Sequence, residues 1–173
     1  MNRIHTLTVM GALLGALAVN AQNPFSTDAK NFYTNMKGTL IKAADEMPEA
    51  DYSFKASPPE RTYGEIVGHI AEVQFALCGI AKGEQKKSDA GTKTSKADLA
   101  AALKASFDYC DGVYDSMTDT DAATKVKMFG PNPVTKLAVL NFNTSHDNEM
   151  YGQMVVYLRI KGLVPPSSQP RRP

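Results

Sequence analysis

Apolar residues recur along this chain at three- and four-residue steps, and strict alternation is scarce, so the pattern predicts helices rather than strands. The first helix is expected from about Thr27 to Met47. Phe32, Met36, Leu40, Ala43 and Met47 fall on one face, Ser26, Thr27 and Asp28 offer N-caps, and Pro48 ends it. The stretch PEADYSFKASPPERT (48–62) is a connection, because its prolines forbid regular helix. Thr62 then caps a second helix running to about Lys82, with Glu65 as its capping-box partner. Ile66, Ile70, Val73, Leu77 and Ile80 form its stripe, and Gly83 stops it. After a polar loop, Ser95 caps a third helix, about Lys96 to Met117, with Leu99, Leu103, Phe107, Cys110 and Tyr114 inward. A short helical piece is expected from Asp119 to Lys127 before Gly130, Pro131 and Pro133 interrupt the chain. The fourth and longest helix follows from about Val134 to Lys161, closed by Gly162 and Pro165-Pro166. Four amphipathic helices predict an all-α fold, a four-helix bundle.

One apolar run does not belong to that bundle. Residues 1–21 carry Arg3, then a run from Leu7 to Val19, then Val19 and Ala21 at the small-residue positions of a cleavage site. That is the layout of a secretory signal peptide, too short in its apolar run for an ordinary membrane span. The expected domains are therefore a signal peptide (1–21), a bundle (22–168) and a disordered Pro- and Arg-containing tail (169–173). The protein is expected to be exported, periplasmic or extracellular, with no membrane attachment after cleavage.

The 173 residues hold 19 Lys and Arg against 18 Asp and Glu, and Arg3 is the only charge in the signal segment. The mature chain is thus formally neutral, without the basic field that nucleic acid would require. Its two cysteines, Cys78 and Cys110, are expected to pair in an oxidising compartment; two buried thiols are the alternative.

Of three histidines, His5 leaves with the signal segment, and only His69 and His146 remain. His69 shares the stripe of the second helix, and His146 lies midway along the fourth. Bundle interiors build metal sites from side chains on facing helices. Two core histidines with hydrogen-bonded nitrogens would account for the same spacing. RTYGEIVGHIAEVQF (61–75) and HDNEMYGQMVVYLRIKGLVPPSS (146–168) decide more. They resemble the second and closing helices of the DinB-like family, four-helix bundles that include bacillithiol transferases, and the resemblance covers about residues 28–168. It implies that His69 is a metal ligand and that His146 is the first histidine of a His-x-x-x-His-x-Gly-Gln/Asn pattern. Gly152, Gln153, Tyr157, Leu158 and Arg159 follow that pattern, but Met150 stands where its second histidine belongs. The resemblance further implies three histidine ligands with open positions, a divalent metal that activates a thiol, and, since family members often pair, a homodimer.

Met150 breaks that ligand set, because a thioether is a poor ligand for Zn²⁺ or Ni²⁺. A carboxylate could replace it: Glu65 lies one turn before His69, and Glu149 and Asn143 border His146 at less favourable angles. Two histidines with Met150 would suit copper, above all Cu(I). Met150 packing as core would leave a decayed site and no metal. The leading expectation is an exported DinB-like bundle with an altered divalent-metal site and no assignable reaction. A metal-dependent hydrolase or thiol S-transferase is the second reading, and a module binding a small molecule or a protein the third. Asn143-Thr144-Ser145 fits a glycosylation pattern, and Tyr151 and Tyr157 either line a pocket or pack.

Overall fold

The computed structural model describes residues 23–170. The expected signal peptide and the last three residues of the expected tail lie outside them. Four long helices form the bundle: α1 (Pro24–Glu46), α2 (Tyr63–Lys82), α3 (Lys96–Ser116) and α5 (Lys136–Ile160), with a single turn, α4 (Asp119–Ala122), before the last. α2 packs against α3 and α5, and α1 closes the ring against the same two helices.

The capping chemistry sets most boundaries. The Thr62 hydroxyl accepts from the Glu65 amide while the Glu65 carboxylate accepts from the Thr62 amide, a complete capping box. Gly83, at φ 84°, ends α2 in the left-handed conformation that costs a glycine little. Ser95 and Thr135 cap α3 and α5 in the same side-chain-to-amide manner.

α1 starts earlier than Ser26–Asp28 suggest. Pro24 occupies the first turn, where its missing N–H costs nothing. The cap comes from 93 residues away: the Asp119 carboxylate accepts from the Ser26 amide at 2.8 Å and from the Phe25 amide at 3.2 Å. Of the expected inward face of α1, Met36, Leu40, Ala43 and Met47 are buried, but Phe32 yields its place to Tyr33. Tyr33 is buried, stacked on Tyr114 at 3.9 Å, while Phe32 is 69% exposed. The Tyr33 hydroxyl explains the choice, since it donates to the Phe107 carbonyl across the core, a partner that phenylalanine could not use.

Two expectations for the chain between α3 and α5 change. The helical piece stops at Ala122, and Lys125–Val126 (β1) pairs antiparallel with Val134–Thr135 (β2) in a two-residue ribbon. Gly130, at φ 92°, permits the return. Cys78 and Cys110 are bonded, with a Cα–Cα distance of 5.4 Å, and tie α2 to α3. No described helix is long and apolar enough to cross a membrane. Gln169, the first residue of the expected tail, bonds Glu46 and the Val164 carbonyl and so lies against α1.

Candidate metal centre

α2 and α5 bring His69 and His146 together. Their Nε2 atoms are 3.2 Å apart, with the rings edge to face. Both side chains are partly buried, and burial lowers both pKa values, that of His146 to about 4. The Arg61 charge lowers both further. Each ring is therefore neutral at neutral pH, which is the state that ligates metal.

The spacing suits one cation. Two nitrogens bound at tetrahedral angles to an ion 2.0–2.1 Å away lie about 3.3–3.4 Å apart. The remaining donors are less favourable. Among the described residues, no group of three or more His, Cys, Asp and Glu side chains gathers in metal-binding geometry. The Glu65 carboxylate is engaged in the capping box and lies 3.9 Å from Lys55. Glu149 is exposed and acts on the pair only through its charge. Met150 is buried within the hydrophobic cluster. Nδ1 of His146 is buried with no hydrogen-bond partner, so the ring lacks the outer contact that usually fixes a ligating histidine.

The register of the two helices is held by a buried polar clamp beside the pair. Gln74 of α2 accepts at Oε1 from Asn143 Nδ2 (2.9 Å) and donates from Nε2 to Asp147 Oδ2 (2.5 Å). All three side chains are fully buried, and Asn143 and Asp147 flank His146 on α5. Cys110 Sγ lies 2.9 Å from Gln74 Oε1, which sets the disulfide against the clamp. Gln74 and Asp147 escape a search for ligand motifs. The visible signal for Asp147 is spacing: Asn143, Asp147, Met150, Met154 and Tyr157 repeat at three and four residues, so two polar residues sit on an inward face. Burial of Asn143 also removes it as a glycosylation acceptor in the folded protein. Tyr151 and Tyr157 serve as tethers, donating to Ser167 and to the Arg61 carbonyl.

Burial raises the Asp147 pKa well above the usual carboxylate range, against the lowering effect of Gln74. Asp147 Oδ1 and Asn143 Oδ1 both lack partners. Protonated, Asp147 buries no charge and still accepts from Gln74. Asp147 therefore stabilises the fold fully below its unfolded pKa of about 3.9, and that contribution is lost as pH rises through the raised folded value. Asp147→Asn keeps the acceptor for Gln74 and adds a permanent N–H donor. It should raise stability at pH 8 by about 1–3 kcal/mol and do little at pH 4. Urea denaturation of both proteins at the two pH values measures this; an equal effect at both would remove the titrating carboxyl from the account.

The model of the DinB superfamily matches residues 33–154, well over half of the chain. A DinB-like protein from Bacillus cereus ATCC 10987 superposes with a TM-score of 0.69 at 24% identity, covering 81% of this chain and 95% of that one. The DinB-like protein YjoA from Bacillus subtilis gives 0.68 at 20% identity, covering 84% and 99%. A mycothiol-dependent maleylpyruvate isomerase gives 0.62 at 13% identity, covering 75% of this chain and 59% of that one. These likenesses establish the fold. No curated protein matches. By the family match and the helical bundle alike, this chain belongs to the DinB superfamily.

Proposed function

We propose that this protein is an exported DinB-superfamily bundle in which His69 and His146 hold one divalent cation, Zn²⁺ or Ni²⁺, in an incomplete protein ligand set. The observation that carries the reading is the 3.2 Å between two neutral imidazole nitrogens from facing helices. With Met150 in the third family position, the protein supplies two strong donors, and the other positions fall to solvent or to an incoming ligand. When bound, the cation would lower the pKa of a water or a thiol at those positions. The protein's own part is to keep both imidazoles neutral and, through the Gln74 clamp, in register. Two ligands make for weak holding, so the leading reading is an altered site to which no reaction is assigned.

An enzymatic reading, a metal-dependent hydrolase or a thiol transferase, draws on the cleft beside His69 and on the fold shared with the mycothiol-dependent isomerase. Export is supported by the signal-like residues 1–21 together with the Cys78–Cys110 bond. Elemental analysis of untagged mature protein, followed by calorimetric titration with Zn²⁺ and Ni²⁺, tests the metal site. One ion per chain is expected, and His69→Ala and His146→Ala should each weaken binding at least about tenfold while preserving the helical spectrum. Unchanged uptake in both variants would place the metal elsewhere. No uptake by the parent protein would leave a bundle whose histidines only pack.

A further inference from the structure

A second groove, of about 380 Å³, runs along the seam between α1 and α5, whereas the histidine pair joins α2 to α5. Its volume lies at the small end of the range for ligand pockets. α1 lines it with Phe32, Asn35, Met36 and Thr39, four positions of one helix face. None of its lining side chains is charged, while the cleft beside His69 carries five that are.

The α5 wall has a fixed part and a free part. The Thr144 hydroxyl is held by the Leu140 carbonyl and the Tyr114 hydroxyl, and Asn148 Nδ2 donates to the Thr144 carbonyl at 2.7 Å. The amides of Asn35 and Asn141 and the hydroxyl of Ser145, by contrast, make no side-chain hydrogen bond among the described residues. Beside them Phe32, which gave up its core position to Tyr33, keeps its ring 69% exposed.

We propose that this groove binds a neutral saccharide, with Phe32 against the C–H face of a sugar ring and Asn35, Asn141 and Ser145 bonding its hydroxyls. An amide presents a donor and an acceptor side by side, and a pair of neighbouring sugar hydroxyls offers the same combination in return. A charged ligand would find no counter-charge among the lining residues. A wholly apolar one would cover the free amides without satisfying them. A sugar ring answers both features, since its C–H face is apolar and its edge is polar. The proposal uses neither histidine and stands apart from the metal reading.

The test titrates the mature protein with cellobiose, maltose and N,N′-diacetylchitobiose, followed by NMR saturation transfer and amide shifts. At least one disaccharide should bind with a Kd of about 5 mM or tighter, and the shifts should centre on α1 and α5. Phe32→Ala should weaken that binding at least about tenfold, and Asn141→Ala at least about threefold. Both positions are exposed, so the helical spectrum and Tm should hold. The affinity should not change between about 20 mM and about 500 mM salt, because no charge takes part. Absence of binding by all three sugars at about 50 mM overturns the proposal, as does binding that survives both substitutions. A dimer that Phe32→Ala dissociates in sedimentation, with no sugar bound, gives the groove to a second copy of the chain and overturns it equally.

Discussion

Met150→His should raise the affinity for Zn²⁺ and Ni²⁺ by at least about 100-fold, since a direct ligand outweighs the outer contacts whose loss costs 10–100-fold. Residues 146 and 150 are one helical turn apart and project from the same side of α5. The side chain at 150 is already buried, 3% exposed, so an imidazole there would be held in place and stripped of water. The clamp through Gln74, Asn143 and Asp147 fixes the height of α5 against α2, and with it the distance from His146 to His69. The same change should remove any preference for Cu(I), because it replaces a soft thioether with a borderline nitrogen. It should also cost the metal-free protein about 1–3 kcal/mol, as burial of a polar ring without a partner does. Competition against a chromophoric chelator measures the gain. Zinc affinity that stays at the parent value in a folded variant would mean that position 150 does not look into the histidine pair.

Loss of the disulfide should be the largest single change in stability. Cys78 and Cys110 are fully buried and close a loop 32 residues apart in sequence. Restricting the unfolded chain over that length is worth roughly 3–4 kcal/mol. Cys78→Ala with Cys110→Ala should therefore lower Tm by roughly 6–16 °C, at about 2–4 °C per kcal/mol for a domain of this size. The site should respond as well. Cys110 Sγ rests on the Gln74 amide that spaces the two histidines, so zinc affinity should fall in the same variant. Calorimetric unfolding decides the first point, and a loss under about 1 kcal/mol would refute the crosslink account.

Much of the bundle was legible from local chemistry. The Thr62–Glu65 box, Ser95, Gly83 and Gly162 mark helix ends because each acts within one turn of the backbone it caps or releases. His69 and His146 stood out as the two remaining titratable rings on inward faces. The misreadings share a cause. Phe32 outranks Tyr33 in hydrophobicity, but the tyrosine hydroxyl finds a carbonyl on α3 that only the folded bundle provides. Ser26 to Asp28 resemble caps, yet the capping carboxylate, Asp119, arrives from α4, 93 residues beyond Ser26. The region between α3 and α5 breaks helix early because Val134 pairs with Val126.

The sequence by itself determined a helical bundle with a disulfide-ready cysteine pair, two histidines and a broken third position, since these follow from periodicity, capping and residue type. Only the tertiary structure decided that the two Nε2 atoms meet at 3.2 Å and that Gln74 joins α2 to both flanks of His146. Those relations depend on the rotation and height of helices far apart in sequence. No residue carries that information until its neighbours are packed around it.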